Sequence, residues 1–343
     1  MFEKLWNKKF IISFLMIIGI IIIVFLYLKV QIIEEIINLI VISGIIAYVL
    51  KPLRNILVNK FNLSKKIASI SIILSLTLII AIFIVVSIPN IIEEVGDINE
   101  IFEKFNLYFK EFEEGLKLSN NAVINTIYIQ GSEKVWSFLS SISYKSFDFI
   151  LELSKNILSY IIIPVIAYYF LSDGEKISNS FYLIIPMKSR GVIKNILKDI
   201  DVLLQRYIIS QLALCLITTV LSFITFCILG IKFPLMLALI NGIFNIVPYF
   251  GAILGGIPAV FLALIQSPTL AIWTIIGILI VQQIEGNLIA PKITADSTDL
   301  HPMLIIILLI LGEKLGGIIG MIFIIPIAVS LKVLYDDINY YIF

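Results

Sequence analysis

Charged side chains, histidine and cysteine are all scarce in this sequence. Asp, Glu, Lys and Arg make up 14% of the 343 residues, and His301 is the only histidine, whereas about a quarter of the residues of a soluble domain are charged. The two cysteines, Cys215 and Cys227, lie in one apolar run. If that run is helical they are about 18 Å apart, too far for a disulfide. No cysteine and histidine spacing typical of a metal site is present. These shortages argue against a soluble protein and against a zinc enzyme.

Motifs that would indicate an enzyme or a nucleotide-driven pump are also missing. The sequence contains no Gly-x-x-x-x-Gly-Lys-Ser/Thr loop, so ATP does not drive the chain directly. It shows no nucleophile with a base and no paired carboxylates in one segment. We therefore expect no enzymatic activity and no cofactor. Any active transport must be coupled to an ion gradient or to another subunit.

Apolar residues dominate the chain. They make up 60% of it, with a mean hydropathy of +1.07, so lipid must solvate much of the surface. A helix needs about 20 apolar residues to cross a bilayer. The candidate spans are Phe10 to Leu28, Val30 to Leu50, Ile67 to Ile88, Leu153 to Leu171 and Tyr207 to Leu229. The first of these is too long for the apolar part of a signal peptide and lacks a cleavage site, so we predict a retained span.

The distribution of basic residues predicts the orientation, because lysine and arginine in short loops favour the cytoplasm. The segment 51–66 is basic without an acidic residue, and the segment 172–206 is also rich in lysine and arginine. We expect both to be cytoplasmic. The acid-rich segment 90–155 and the turn at 29–35 should lie outside. Both termini are then expected in the cytoplasm.

These patterns divide the chain into three regions. Residues 1–89 carry N-terminal transmembrane helices, residues 90–150 form an extracytoplasmic amphipathic helical region, and residues 151–343 form a C-terminal transport core with a cytoplasmic loop at 172–206. In the middle region an apolar stripe from Ile98 to Leu116 lies opposite a charged face. We interpret that helix as packing on neighbouring helices or subunits. A helix lying flat in the outer interface is the alternative.

Glycine, proline and amide residues interrupt the apolar runs of the last third. The two interrupted runs are 234–265 and 302–334, and in each a proline at the start is followed 24 residues later by another, at 258 and 326. Broken hydrophobic segments of this kind are the best sequence indication of a transporter binding site. They are either re-entrant hairpins or full spans. The candidate residues in the first run are Asn241, Asn245, Pro248, Tyr249 and Gly251.

A polar cluster ends the apolar helix that lies between these runs. Its candidate residues are Gln282, Gln283, Glu285 and Asn287. A carboxylate and amides at membrane depth are costly unless they face a cavity or a partner. Gln282 and Glu285 are three residues apart and share a helix face. We interpret the cluster as ligands for a solute or cation, with Glu285 as a proton acceptor; an ordinary polar helix end is the alternative.

Five short motifs occur in order along the chain, namely 164–174 (PVIAYYFLSDG), 244–251 (FNIVPYFG), 282–286 (QQIEG), 290–292 (APK) and 300–302 (LHP). Together they resemble the autoinducer-2 exporter (AI-2E) family of bacterial inner-membrane permeases. The resemblance implies an all-α polytopic protein of about eight transmembrane helices, with both termini cytoplasmic. It also implies a homo-oligomer, with a pentamer as the expected size.

The resemblance leaves two transport functions open. One is export of autoinducer-2 or a similar small polar signalling molecule, and the other is sodium(lithium)/proton antiport. A membrane scaffold that binds an envelope partner is a third hypothesis, from a different class. The expected partners are membrane lipid and either a small polar solute or sodium and protons, and no nucleic acid.

Overall fold

A computed structural model describes residues 29–96, 103, 107, 157–184, 187–294 and 300–342. The candidate span Phe10 to Leu28 and most of the predicted amphipathic region 90–150 lie outside the described residues, and both stay predictions. Within the described ranges all regular structure is helical and no strand occurs. The predicted all-α class is confirmed.

The described residues of the predicted apolar spans lie in helices, apart from Val30. The helices are α1 (Gln31–Phe61), α2 (Lys65–Gly96), α3 (Ile157–Ile184), α4 (Met187–Leu229), α5 (Pro234–Phe244), α6 (Gly251–Gln266), α7 (Pro268–Ile284), α8 (Ala290–Thr294) and α9 (Pro302–Ile342). A five-residue π-helix, Glu285–Ile289, joins α7 to α8. Among the described residues, five helices are long and apolar enough to cross a membrane, namely Gln31–Phe61, Lys65–Val85, Arg190–Leu229, Pro268–Thr294 and Pro302–Asn339. The chain is a multi-pass membrane protein.

The helices extend well beyond the apolar runs that predicted them. The described residues of the segment 172–206, which was expected as a loop, are helical, because α3 continues to Ile184 and α4 begins at Met187. Likewise α1 continues through the basic residues after Leu50 as far as Phe61. A helix pairs its own backbone in lipid and in water alike, so its end need not coincide with the end of the apolar run.

The first of two compact units contains residues 1–77 and 153–179. Its described part is α1, the beginning of α2 and most of α3. Small and branched side chains form its core: Ala47, Leu50, Ile72, Ile73, Ala167 and Leu171. Buried Arg54 donates from Nη1 to the carbonyl oxygen of Leu171 over 2.5 Å, and from Nε and Nη2 to Asn55 Oδ1. Arg54 therefore connects α1 to α3 through a buried hydrogen bond.

An exposed ion pair also joins α2 to α3 in this unit. Lys65 Nζ lies 2.6 Å from Glu175 Oε1 and 2.7 Å from Oε2. The hydrogen bond from Lys65 lowers the pKa of Glu175 below its ordinary value. Because both side chains are well exposed, solvent screens the pair and it adds little stability.

The second unit contains residues 78–152 and 180–343. Its cores are built around α4. One core combines α4 with α5, α6 and α7 through Phe226, Leu237, Ala238, Ala259, Ala263 and Ile278. The other combines α4 with α9 and with the segment between α5 and α6, through Tyr207, Val247, Leu309, Met321, Ile325 and Val329. Alanine and glycine at these crossings let the helix backbones approach closely.

The first interrupted run is a helical hairpin formed by α5 and α6. A β-carbon added to Gly255 would lie 2.6 Å from Asn241 Cα, and one added to Gly251 would overlap the carbonyl oxygen of Phe244. The two limbs therefore pack backbone to backbone, with residues 245–250 as the turn.

The second interrupted run is also a hairpin. Within α9 the helix is broken at Gly316 and at Gly317, which has φ 58° and ψ −139°, a conformation that only glycine adopts readily. A β-carbon on Gly312 would lie 2.7 Å from the carbonyl oxygen of Gly320, so the chain reverses between them. Both runs are thus hairpins with a proline at the start of the first limb and another inside the second. The apparent single span Pro302–Asn339 consists of two limbs.

Candidate functional site: a polar cavity around Glu285

Three polar side chains form a stripe on α4. Gln211, Thr218 and Ser222 are spaced by seven and then four residues, which places them on one helix face. All three are buried. A buried polar group is costly without a hydrogen-bond partner, and each of these has one on a neighbouring element. The stripe therefore connects α4 by hydrogen bonds to the other elements that form the site.

The turn between α5 and α6 carries unusual backbone. Tyr249 has φ 65°, a left-handed conformation that costs a residue other than glycine about 1–3 kcal/mol. Two amide side chains hold this turn: Gln211 Nε2 donates to the carbonyl oxygen of Asn245 over 2.6 Å, and Gln282 Nε2 donates to that of Tyr249 over 3.2 Å. The two amide side chains thereby supply donors to backbone carbonyl groups of the turn, where the helix is interrupted.

Glu285 lies at the start of the π-helix and is 9% exposed. Its Oε2 accepts a hydrogen bond from Thr218 Oγ1 over 2.7 Å, and its Oε1 accepts one from Asn245 Nδ2 over 2.7 Å. Asn245 Nδ2 also donates to Thr218 Oγ1 over 3.0 Å. These three side chains, hereafter the Glu285 network, connect α4, the hairpin turn and the π-helix.

The hydrogen-bond partners that Glu285 has among the described residues are neutral. Among the described residues, Thr218 and Asn245 alone hydrogen-bond to it, and no lysine or arginine forms an ion pair with it. A carboxylate in a membrane-spanning region is expensive, and such residues are default candidates for ion or substrate pathways. Within the described ranges, no group of three or more His, Cys, Asp or Glu side chains could hold a metal ion.

One helical turn from this network lies a second polar pair. Asn241 is fully buried and donates from Nδ2 to Ser222 Oγ over 2.8 Å. Its Oδ1 has no hydrogen-bond partner among the described residues. A β-carbon on Gly255 would lie 2.7 Å from that oxygen, so Asn241 fills the space at the crossing of the two limbs.

A cavity of about 500 Å³ opens beside the Glu285 network. Its wall combines the π-helix and the hairpin turn with parts of α4, α6, α7, α8 and α9. The lining residues are Tyr207, Gln211, Leu214, Asn245, Pro248, Tyr249, Ala252, Gln282, Gln283, Glu285, Gly286, Asn287, Ala290, Pro291, Thr294, Pro302, Ile305 and Ile325. Its size falls in the range of about 300–1,000 Å³ typical of small-molecule sites.

The structure brings most of the predicted site residues together at this cavity. Those that line it are Asn245, Pro248, Tyr249, Gln282, Gln283, Glu285 and Asn287. Gln283 and Asn287 are exposed and joined by a 2.5 Å hydrogen bond from Asn287 Nδ2 to Gln283 Oε1. Asn241 and Gly251 do not line the cavity. They lie where the hairpin limbs meet, and their contribution is to packing.

The sequence analysis missed the residues that α4 contributes, Gln211, Thr218 and Ser222. Serine and threonine are common inside apolar helices, where the hydroxyl usually bonds the carbonyl four residues earlier. Their common helix face was the signal that could have identified them. The π-helix was missed too, since no sequence pattern distinguished residues 285–289 from an ordinary helix end.

Comparison with known proteins finds a matching family of transporters and several similar chains. The family described as AI-2E family transporter matches residues 11–340. YueF of Bacillus subtilis (strain 168) is 31% identical over 309 residues, covering 87% of this chain and 82% of YueF. MJ1177 of Methanocaldococcus jannaschii is 28% identical over 86% of this chain and 88% of its own length. YrrI of Bacillus subtilis is 35% identical over 52% of each chain. The names of all three assign them provisionally to transport and state no cargo.

Proposed function

Since the chain belongs to the AI-2E family of transporters, we propose that it is a secondary transporter for a small, uncharged polar solute of the kind that autoinducer-2 represents. The solute occupies the Glu285 cavity during transport. Glu285 couples its movement to a gradient of protons or sodium ions.

The observation that carries this proposal is the composition of the cavity wall. Gln282, Gln283 and Asn287 offer both amide donors and carbonyl acceptors to the cavity, which suits a ligand with several hydroxyl groups. Tyr207, Pro248 and other apolar surfaces supply the remaining contacts. Among the described residues of the lining, Glu285 is the only acidic one and none is basic. An anionic solute would therefore be repelled, whereas a neutral one would not.

The surroundings of Glu285 support its coupling role. Its two oxygens accept hydrogen bonds from neutral donors and are free of an ion pair with any described residue. It can therefore take up a proton or a sodium ion without first breaking a salt bridge. Because Glu285 lies beside the solute cavity, its charge interacts electrostatically with a solute or ion in that cavity.

Sodium(lithium)/proton antiport is the second candidate, and the same network favours it. Glu285 and Thr218 bring carboxylate and hydroxyl oxygens to one place, and oxygen is the ligand that hard cations prefer. In this case the cations themselves are the cargo. The cavity then serves as their aqueous access route.

Reconstitution distinguishes the two functions. The purified full-length chain is placed in liposomes, and uptake of labelled autoinducer-2 is measured with and without an imposed pH or sodium gradient. Proton flux is followed in parallel with an entrapped pH-sensitive dye. Saturable solute uptake that a gradient accelerates supports the proposal. Sodium-driven proton flux without solute uptake supports antiport instead, and liposomes with no gain in either flux over empty ones would overturn both.

For location and assembly we keep the expectations drawn from the sequence. We expect the chain in the inner membrane with both termini in the cytoplasm, as a homo-oligomer in which a pentamer is the expected size. Native mass spectrometry of the detergent-purified chain tests the assembly, and a monomer at all concentrations would contradict it.

A further inference from the structure

Among the described residues, five amide side chains line the cavity, and three of them hold parts of the protein in place. Those three are Gln211, Asn245 and Gln282. The Nε2 atoms of Gln211 and Gln282 donate to backbone carbonyl oxygens of the hairpin turn. The Nδ2 atom of Asn245 donates to Glu285 and Thr218. The positions of these three amide groups are therefore fixed by contacts within the fold.

The other two amides of the wall, Gln283 and Asn287, bond to each other. They are four residues apart across the junction of α7 and the π-helix, a spacing that brings side chains together on one helix face. Asn287 Nδ2 donates to Gln283 Oε1 over 2.5 Å, and neither side chain has another hydrogen-bond partner among the described residues. Both are exposed and line the cavity. Their remaining polar atoms are therefore available to a ligand.

The available atoms form one donor group and one acceptor group beside each other. The bond within the pair leaves Gln283 Nε2 with both of its hydrogens and Asn287 Oδ1 with both of its lone pairs. If both amides are turned over, the bond runs from Gln283 Nε2 to Asn287 Oδ1, and the other nitrogen and oxygen become available instead. In either arrangement the pair offers a donor and an acceptor to the cavity.

We propose that Gln283 and Asn287 together determine the specificity of the site, and that they bind two hydroxyl groups on neighbouring carbon atoms of the solute. This inference rests on the proposed function and deepens it, because it names the arrangement of groups that the solute carries. One hydroxyl accepts a hydrogen bond from the amide nitrogen, and its neighbour donates one to the amide oxygen. Each hydroxyl can both donate and accept, so a vicinal diol fits both arrangements of the pair.

Other polar groups match the pair less well. An ionised carboxylate only accepts hydrogen bonds, so it would leave the available amide oxygen without a donor. A single hydroxyl binds the two amide groups less well than two hydroxyls do, because it supplies one hydrogen and one oxygen for both. Two neighbouring hydroxyls supply a separate partner for each amide group.

The surface beside the pair leaves room for the carbon atoms of such a solute. Gly286 lies between Gln283 and Asn287 in the sequence and also lines the cavity, and a β-carbon added to it would meet no atom within 4 Å. Ala290 and Pro291 contribute small apolar surfaces from α8 to the same cavity. The carbon atoms of a diol can therefore pack on these surfaces while its hydroxyl groups bind the amide pair.

Competition between two isomeric diols tests this recognition. The full-length chain in liposomes takes up labelled autoinducer-2, and either cis-1,2-cyclopentanediol or cis-1,3-cyclopentanediol is added as an unlabelled competitor. The two competitors have the same atoms and differ in the spacing of their hydroxyl groups. We expect the 1,2 isomer to inhibit the wild type at a concentration about fivefold lower than the 1,3 isomer, which is the effect of about one additional neutral hydrogen bond.

Variants of the pair locate the preference. Gln283→Met and Asn287→Leu each remove one amide group and the bond within the pair. Both should abolish the preference for the 1,2 isomer and raise the KM for labelled autoinducer-2 about fivefold, with the maximal rate unchanged within about twofold. Gln266→Met is the matched control, because Gln266 donates to the carbonyl oxygen of Leu262 within α6 and does not line the cavity. It should keep the wild-type preference and KM.

A double variant tests whether the two amides act as a pair. Gln283→Asn combined with Asn287→Gln keeps two amide groups four residues apart, so it should retain the preference for the 1,2 isomer that each single variant loses. Because Gln283 and Asn287 are exposed, all of these variants should unfold at the wild-type Tm. Loss of the preference in the double variant at an unchanged Tm would contradict recognition by the pair.

The outcomes separate this inference from the proposed function. A wild-type chain that takes up autoinducer-2 and is inhibited equally by both isomers would overturn the inference and leave the proposed function intact. The same conclusion would follow if Gln283→Met and Asn287→Leu both kept the wild-type preference, since the diol would then be recognised elsewhere. A wild-type chain without saturable uptake would overturn the proposed function, and this inference with it.

Discussion

The hairpin formed by α5 and α6 depends on Gly251, and replacing this residue with alanine tests the hairpin geometry. The added β-carbon would overlap the carbonyl oxygen of Phe244 and lie 2.7 Å from the backbone nitrogen of Asn245. Both are backbone atoms and cannot rotate away as a flexible side chain can. The first limb must move, and Asn245 moves with it.

The cost follows from this overlap. Adding a methyl group to a packed site costs about 1–3 kcal/mol, and the better helix propensity of alanine offsets up to about 1 kcal/mol of it. The net loss of unfolding free energy is then on the order of 1–2 kcal/mol. Solute flux should fall by more than surface expression does, because displacement of Asn245 breaks its hydrogen bond to Glu285.

Thermal unfolding in detergent, followed by tryptophan fluorescence, measures the first effect, and uptake into proteoliposomes measures the second. Gly286→Ala is the matched control, since a β-carbon there meets no atom within 4 Å. We expect a lower Tm for Gly251→Ala and a wild-type Tm for Gly286→Ala. Equal Tm values and full flux in both variants would refute the hairpin packing described above.

Three further predictions concern coupling, topology and the first unit. Glu285→Gln should remove the dependence of flux on a pH gradient while solute exchange and folding persist; an unchanged rate and pH profile would make Glu285 only a polar helix end. A single cysteine at position 115, outside the described residues, should react with an impermeant thiol reagent in intact cells, whereas one replacing Lys60 should not; labelling at position 60 would reverse the topology. Arg54→Met should destabilise the chain by about 1–3 kcal/mol, because it leaves the Leu171 carbonyl without this buried donor, whereas Lys65→Met should cost less than about 1 kcal/mol. Equal Tm values for the last two variants would contradict the role of Arg54.

Much of the fold could be predicted from the sequence because a helix that crosses lipid needs a run of about 20 apolar residues. Long apolar runs predicted α2 and the membrane part of α4, and the paired prolines and glycines predicted the broken runs. What the runs did not show was where the helices end. The described residues of the charged segment 172–206 are helical, since a helix pairs its own backbone whether lipid or water surrounds it. Whether a broken run reverses direction also depends on contacts such as that of Gly312 with Gly320, which no local pattern specifies.

The candidate site was predicted in part for a similar reason. Asn245 and Glu285 were identified because amides and carboxylates are rare in apolar segments. The sequence analysis missed Thr218 because the hydroxyl of a helical threonine ordinarily bonds the carbonyl oxygen four residues earlier in its own helix. Its role depends on its position opposite Glu285, which is 67 residues away in the chain. Only the tertiary structure brings those two side chains together.

The central claim is that a solute passes through the cavity beside Glu285, and narrowing that cavity tests it most directly. Gly286 lines the cavity, and a β-carbon there meets no atom within 4 Å, so Gly286→Leu projects a large side chain into it without disturbing the fold. Gly191→Leu is the control, because Gly191 is exposed on α4, has equally open surroundings and does not line the cavity. Labelled autoinducer-2 uptake into proteoliposomes should fall at least about tenfold in Gly286→Leu, a loss of about 1.4 kcal/mol or more in solute binding or passage, and should match the wild type in Gly191→Leu. Uptake by Gly286→Leu at the wild-type rate would show that the solute does not pass through this cavity.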